Sequence, residues 1–125
     1  RAGLQIDVMG HDDLQNAPPF DVVFCDAPCS GSGTWRRTPD AKWRLTKDDL
    51  DALVLSQRQV MRDAAVHVAD GGILAYATCS LLNSENADQI DAFIDAFPAW
   101  RVETAHTLHP NDLHDGFFLT VMKRI

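Results

Sequence analysis

The amino-acid sequence predicts an α/β fold, built on a sheet whose core strands are mostly parallel. Two compact apolar runs, DVVFC at Asp21–Cys25 and ILAYAT at Ile73–Thr78, are typical of strands buried on both faces. A long amphipathic pattern separates them, and a second helical pattern and further strands follow. The order strand, helix, strand, helix, strand is that of parallel strands joined by crossover helices.

Before the first of these strands we expect one short strand and a loop. LQIDV at Leu4–Val8 alternates apolar and polar residues, as a strand with one exposed face does. HDDLQNAPPF follows, and its Pro18 and Pro19 exclude regular structure there. The stretch Ser30–Thr38 is predicted to be a loop in which Gly31 and Gly33 act as hinges.

Thr46 is expected to cap a long helix whose first turn is acidic. Apolar residues recur at three- and four-residue spacing along it and should pack on the sheet, among them Leu53, Val60 and Ala64. DGG at Asp70–Gly72 predicts that this helix stops near Ala69.

The last part of the chain predicts a shorter helix and two strands. Ser84 is expected to cap that helix, and Pro98 lies just past its end. WRVETA at Trp100–Ala105 and GFFLTVMKRI at Gly116–Ile125 have strand composition and are joined by a polar loop. We expect all but Leu4–Val8 to form one sheet, with the last strand antiparallel to the rest.

Composition restricts the class of protein. The 125 residues are 46% hydrophobic and 23% charged, as in an ordinary globular domain, and no apolar run approaches the ~18 residues of a membrane span. Three cysteines cannot all pair within the chain, which favours a reducing cytoplasm over a disulfide-built secreted domain. No CxxC or HxxxH spacing occurs, so no metal site is predicted. The chain starts with Arg1, so we expect a processed protein or a piece of a longer one.

The charge is unevenly distributed. The net charge is −7, yet residues 27–47 hold five basic residues and one acidic residue, a local balance of +4. A basic island on an acidic body suggests local contact with an anion such as a phosphate backbone. A solvated loop whose cations serve solubility would give the same pattern.

Two thiols and a carboxylate are expected at one rim of the sheet. Cys29 follows the Asp21–Cys25 strand and Cys79 follows Ile73–Thr78, and the carboxyl ends of neighbouring parallel strands meet at one edge. Asp26 lies at the same edge, whereas Cys25 closes a core strand and is interpreted as structural. A redox pair of Cys29 and Cys79 is an alternative.

The motif string DAPCSGSGTWRRTPDAKW, then YATCS with NSEN after it, and a closing DGFF, resembles the RsmB/NSun family of RNA 5-methylcytosine methyltransferases. The resemblance runs through nearly all of the 125 residues in the family's order. It implies the carboxyl-terminal half of a Rossmann-like class I methyltransferase sheet. It also implies S-adenosylmethionine as cofactor and ribosomal or transfer RNA as substrate.

The resemblance further implies a role for each rim residue. Cys79 would attack cytosine C6, Cys29 would help to release the methylated product, and Asp26 would contact the N3 edge of the base. Asp12, Asp26 and Pro28 would help to hold S-adenosylmethionine. A thiolate is needed because cytosine C5 is a poor nucleophile until a group adds to C6.

The segment 35–47, called the basic loop below, is interpreted as the contact with RNA. The target base must leave its stack, so single-stranded or loop RNA is the expected partner. Trp35 or Trp43 would stack on a base or pack under the loop. The expected phosphate-binding residues are Arg36, Arg37, Lys42 and Arg44.

The resemblance also exposes a gap. No glycine-rich cofactor loop precedes Leu4, and GSG at Gly31–Gly33 is no substitute for it. The chain is therefore expected to be the carboxyl-terminal portion of a catalytic domain, unable alone to bind S-adenosylmethionine tightly or to methylate RNA. Leu4–Val8 would lack its native neighbour and be frayed, paired to Asp21–Cys25, or paired to another chain. Two alternatives are a non-catalytic RNA-binding module using residues 35–47 and a cysteine-based redox or regulatory protein.

Overall fold

The computed structural model describes residues 3–125, which form a four-stranded sheet with helices packed on one face. Within these residues no helix is long and apolar enough to span a membrane. Two 3₁₀ turns, Ser32–Thr34 and Asn83–Glu85, lie in the loops. The helices are α1 (His11–Gln15), α2 (Pro39–Arg44), α3 (Lys47–Ala65) and α4 (Ala87–Ala96), and the strands are β1 (Phe20–Asp26), β2 (Val68–Thr78), β3 (Trp100–Leu108) and β4 (Phe117–Arg124).

The strand order is β1-β2-β4-β3. β1 and β2 are parallel, and β4 lies between β2 and β3 and is antiparallel to both. β1, β2 and β3 therefore run in one direction and the last strand runs against them. The predicted α/β class and the antiparallel last strand are confirmed.

The α3 helix begins as predicted. Thr46 accepts a hydrogen bond from the Asp49 backbone N–H, and the Asp49 carboxylate accepts one from the Thr46 backbone N–H, which is a capping box. Its last helical residue is Ala65 rather than one near Ala69, so the predicted stop at Asp70–Gly72 is wrong. That segment lies inside β2, and a Cβ on Gly72 would lie 2.8 Å from Val68 Cγ1 and 3.0 Å from the Asp21 carbonyl oxygen. The glycine permits close strand pairing there instead of ending a helix.

The core lies between the sheet and the α3 and α4 helices. Met61 and Ala65 are the buried apolar residues of α3, with Val60 and Ala64 packed at the edge of the core. Leu53, expected to pack on the sheet, is only half-buried and lies outside the core cluster. The core residues from the other elements are Cys25, Ala27, Val68, Leu74, Tyr76, Ile90, Phe93, Trp100, Phe118 and Met122.

The opposite face of the sheet is largely open. Val22 and Phe24 of β1 are 60% and 62% exposed, whereas Val23 and Cys25 point toward the helices. The prediction that β1 is buried on both faces is therefore wrong. An apolar run shows that both faces are apolar, but no core cluster covers the second face within residues 3–125.

Two local predictions near the amino terminus are also wrong. Leu4–Val8, which was predicted to be a strand, has no regular structure, and its apolar side chains are exposed. This is the frayed state, one of the three outcomes expected for that segment without its neighbouring strand. The α1 helix lies within the predicted loop and ends before Pro18. The Asp13 carboxylate accepts a hydrogen bond from the Gly10 backbone N–H at 3.1 Å, which caps this short helix.

The helix predicted to begin after Ser84 starts later. Asn86, not Ser84, is its N-cap, and Ser84 lies inside the preceding 3₁₀ turn. The α2 helix within the basic loop was not predicted, and it has Pro39 at its first position.

Candidate active site

Cys29 and Cys79 lie side by side at the carboxyl ends of β1 and β2. Their sulfur atoms are 3.3 Å apart, and both thiols are free and half-buried. This separation is too long for a disulfide, whose S–S bond is about 2.05 Å, and suits a hydrogen bond between the thiols. The parallel pairing continues one residue past the end of β1, since the Ala27 backbone N–H donates to the Ala77 carbonyl of β2 at 3.0 Å. The structure thus brings the two thiols together as the strand order predicts.

Two backbone hydrogen bonds, which we call the backbone seam, join the loops that follow β1 and β2 to the segment just before β4. The Gly33 N–H donates to the Cys79 carbonyl at 2.9 Å, and the Gly116 N–H donates to the Gly33 carbonyl at 2.9 Å. A Cβ at Gly33 would lie 2.2 Å from the Gly116 carbonyl oxygen, so no other residue fits without displacing backbone. Gly33 was predicted to be a hinge, but this packing fixes it in place.

A buried carboxylate, which was not predicted from the sequence, joins the same two loops. Glu85 is 0% exposed, and its Oε1 atom accepts from the Ser30 backbone N–H at 2.8 Å and from Gln57 Nε2 at 3.1 Å. Its Oε2 atom accepts from the hydroxyls of Ser30, at 2.6 Å, and Ser80. Ser30 directly follows Cys29 and Ser80 directly follows Cys79. The serine after each cysteine, with a glutamate in NSEN, was the available signal.

Side-chain amides hold the backbone of both loops. Asn86 Nδ2 donates to the Ser80 carbonyl at 2.9 Å, and Asn86 Oδ1 accepts from the Thr78 hydroxyl at 2.6 Å. On the other loop, Gln57 Nε2 donates to the Pro28 carbonyl at 2.8 Å. Gln57, Thr78, Ser80 and Asn86 are all buried, so these bonds form away from water and keep the loop geometry fixed.

The two thiols nearest β1 hold their protons firmly. Burial, with a hydrogen bond to Cys79 as the second cause, raises the pKa of Cys29 to about 12. Burial raises the pKa of Cys25 to about 11, and Cys25 belongs to the core cluster. The Cys29 thiol therefore keeps its proton and can be the donor in the hydrogen bond between the two sulfurs, in which either atom can donate. The core position of Cys25 is consistent with a structural residue.

The predicted acidic residues lie in different places. Asp26 is exposed at the end of β1, on the rim of the thiols, and its carboxylate makes no hydrogen bond within residues 3–125. Asp12 lies in α1, whose side chains line a cleft with Asp63 and His67 near the start of β1. No hydrogen bond in the described part of the chain links Asp12 to either rim thiol. No group of three or more metal-ligating side chains occurs among residues 3–125.

The cations of the basic loop are mostly paired with carboxylates. Arg36 and Arg37 both contact the buried carboxylate of Asp115, Arg36 at 3.4 Å. Arg44 pairs with Asp40 at 2.7 Å, one helical turn away. The arginine side chains are still 49% to 75% exposed, so their outer N–H groups reach solvent. The loop therefore presents less net charge than its composition indicates.

The two tryptophans of this loop differ in exposure. Trp43 is 82% exposed, and Lys42 Nζ lies 5.4 Å from the centre of its ring. Trp35 is half-buried, and its indole Nε1 has no hydrogen-bond partner within the described residues. The Trp43 ring is therefore accessible to a stacking partner, whereas the Trp35 ring is only partly accessible.

Comparisons with known proteins agree on one family. The family model described as 16S rRNA methyltransferase RsmB/F matches residues 3–122. The ribosomal RNA small subunit methyltransferase B of Serratia proteamaculans (strain 568) is 40% identical over an alignment of 108 residues, and the match covers 79% of this chain and 25% of that protein. The chain thus spans about a quarter of the length of such relatives.

Solved structures share the fold. The crystal structure of PH0851 superposes with a TM-score of 0.79 at 31% identity, over 83% of this chain and 26% of that one. NSun6 from Pyrococcus horikoshii, solved with SFG, has a TM-score of 0.77 at 22% identity, over 96% of this chain and 34% of that one. At 22% identity the NSun6 likeness shows the fold alone. The motifs, the matched span of 3–122 and the 40% identity together show that this chain belongs to the RsmB/F family of 16S rRNA methyltransferases.

Proposed function

We propose that this chain is the part of an RNA cytosine-C5 methyltransferase that carries both catalytic thiols. The observation that supports this most is the 3.3 Å separation of the Cys29 and Cys79 sulfurs on the rim of the sheet. The names of the relatives favour small-subunit ribosomal RNA over transfer RNA as substrate. Neither a non-catalytic RNA-binding module nor a redox protein is favoured, because the family is one of methyltransferases.

In this proposal Cys79 is the nucleophile. Its thiolate adds to cytosine C6, which makes C5 an enamine carbon able to accept a methyl group. The protonated Cys29 donates a hydrogen bond to the Cys79 sulfur and so stabilises negative charge there before attack. Asp26, exposed on the same rim, interacts with the N3 edge and stabilises the charge that the addition places on the ring.

Cys29 acts in the second half of the reaction. Once Cys79 is bonded to C6, its sulfur carries no charge and no longer accepts a strong hydrogen bond. The hydrogen bond to Cys79 and the charge of Cys79 are two of the causes that raise the pKa of Cys29. When the adduct forms and both are lost, the pKa of Cys29 falls. Cys29 can then release its own proton to solvent, and its thiolate takes up the C5 proton, which allows the C6–S bond to break and releases the Cys79 thiolate.

The cofactor assignment is S-adenosylmethionine, which when bound supplies the methyl group that C5 accepts. The unpaired, exposed carboxylate of Asp26 fits a polar group of such a ligand, and Pro28 is exposed beside it. Asp12 is assigned to the same cofactor from the family resemblance. Residues 3–125 contain no glycine-rich turn after a first strand, so these residues hold one part of the ligand only.

The partner in this proposal is an unstacked cytosine in single-stranded or loop RNA. Exposed guanidinium groups of Arg36, Arg37 and Arg44 contact phosphates together with Lys42, and Trp43 stacks on a neighbouring base. The three free cysteines and the ribosomal RNA methyltransferase relatives support a cytoplasmic location.

Nucleoside mass spectrometry tests the proposal on the full-length protein that contains this chain. Incubation with 16S ribosomal RNA and S-adenosylmethionine should produce 5-methylcytosine, and Cys79→Ala should remove it. Cys25→Ala, which changes a core thiol away from the rim, serves as the matched control and should keep most of the activity. Full activity in Cys79→Ala would contradict the assignment, and RNA binding without methylation by the wild type would favour the binding module.

A further inference from the structure

Glu85 is an uncommon kind of buried residue. It is 0% exposed, and no lysine, arginine or histidine forms an ion pair with it within residues 3–125. Its carboxylate oxygens instead contact four donors, from Ser30, Gln57 and Ser80. A buried carboxylate is costly to desolvate, and here four hydrogen bonds offset that cost. The structural role of Glu85 therefore depends on the segments to which these donors belong.

The donors belong to the two loops that carry the thiols. Ser30 and Ser80 are each the residue after a rim cysteine, so one carboxylate bridges the two loops directly. Tyr76, fully buried in β2, donates from its hydroxyl to the Glu85 carbonyl at 2.8 Å and fixes the position of Glu85 against the sheet. The Glu85 backbone is therefore held by Tyr76, and its carboxylate is bonded to both loops that carry the thiols.

We infer that Glu85 is a positioning residue that sets the distance between Cys29 and Cys79 by holding Ser30 and Ser80. It makes no contact with substrate, because its side chain is fully buried. The inference rests on the proposed function only in the claim that this distance matters for methyl transfer. The geometric claim stands on the hydrogen bonds alone.

The shape of the site predicts which substitutions are tolerated. In Glu85→Gln the amide oxygen still accepts from Ser30 N–H and Gln57, and the amide NH₂ donates to the two serine hydroxyls, whose protons turn away. In Glu85→Asp the charge remains, but the carboxylate is withdrawn by about 1.5 Å and cannot reach both serines. A positioning role thus ranks Gln above Asp, whereas a need for charge alone ranks Asp above Gln.

The probe for the distance is phenylarsine oxide, a trivalent arsenical that condenses with two neighbouring thiols and releases one water. It forms two As–S bonds, and each thiol loses its proton to that water, so no oxidant is needed. The measured quantity is the affinity of the reduced full-length protein for the arsenical, counting only the binding that Cys29→Ser removes.

We expect Glu85→Asp and Glu85→Ala to weaken this binding by about tenfold and Glu85→Gln by less than about threefold. Gln89→Ala is the matched control, because Gln89 is equally buried and bonds to the Val54 and Ser84 carbonyls and to Gln57 Oε1, but not to Glu85, Ser30 or Ser80. It should leave arsenical affinity near wild type. If circular dichroism shows that Glu85→Ala does not fold, the test of the positioning role is whether Glu85→Gln binds the arsenical more tightly than Glu85→Asp does.

The kinetic arm uses the same variants. Glu85→Asp should lower kcat for methyl transfer and leave the KM for RNA unchanged, and Glu85→Gln should restore most of the kcat. An inactive wild type with the expected arsenical order would refute the proposed function but not the positioning role. Wild-type arsenical affinity in Glu85→Asp, Asp ranking above Gln, or no binding through Cys29 in the wild type would overturn the positioning role.

Discussion

The proton on Cys29 should make this thiol slow to alkylate. Its pKa is raised from 9.0 to about 12, and only the thiolate attacks iodoacetamide. At pH 8 a thiol with the ordinary pKa is about one-tenth ionised, whereas Cys29 is about one ten-thousandth ionised, a thousandfold difference. The thiolate of a weaker acid is more nucleophilic, by about 25-fold over three pKa units. The expected net effect is a rate about 40-fold below that of an ordinary thiol.

Alkylation rates followed by peptide mass spectrometry measure this directly. Between pH 9 and pH 10 the rate at Cys29 should rise about tenfold, since that thiol is still far below its pKa, whereas an ordinary thiol rises only about twofold. Circular dichroism at both pH values confirms that the protein is folded. In Cys79→Ala the Cys29 rate should increase, because the hydrogen bond and charge of Cys79 that raise its pKa are gone. A twofold rise at Cys29 in the wild type would refute the protonated state on which its role depends.

Two further predictions concern the cap of α3 and the basic loop. Thr46→Ala removes the side-chain half of the capping box and should lower the free energy of unfolding by about 1 kcal/mol in urea titrations. Thr38→Ala, at the N-cap of α2, where the side chain caps nothing, should have little effect, and an equal loss would contradict the capping argument. Asp115→Asn removes the carboxylate shared by Arg36 and Arg37, so RNA binding at low salt should tighten and log K should fall more steeply with log salt, by about 0.7. Weaker binding with an unchanged slope, measured by fluorescence anisotropy, would show instead that Asp115 orients the arginines.

Local sequence signals predicted the elements whose cause is local. Thr46, followed three residues later by Asp49, defined the start of α3 because both halves of its cap lie within four residues. Cys29 and Cys79 could be placed together because parallel strands bring their carboxyl ends to one edge. Asp70–Gly72 misled, since a glycine that ends a helix and one that allows close strand pairing have the same appearance in sequence.

The remaining errors come from partners distant in the chain. The charge on Arg36 and Arg37 is balanced by Asp115, 79 residues after Arg36, and no local pattern indicates that pairing. Glu85 was not predicted as part of the site, because its four donors come from three separate segments. Phe24 was expected to be buried, yet an apolar strand does not show which of its faces has a covering element.

The backbone hydrogen bonds of Gly33 connect the basic loop directly to the backbone of Cys79. Because the Gly33 N–H is bonded to the Cys79 carbonyl, a displacement of the loop that begins at Gly33 rotates the peptide group next to the Cys79 side chain. Gly116, bonded to Gly33 on its other side, prevents the loop from moving independently. In the proposed function, the contact of the arginines with an RNA phosphate and the position of the Cys79 sulfur are therefore linked through a single peptide plane.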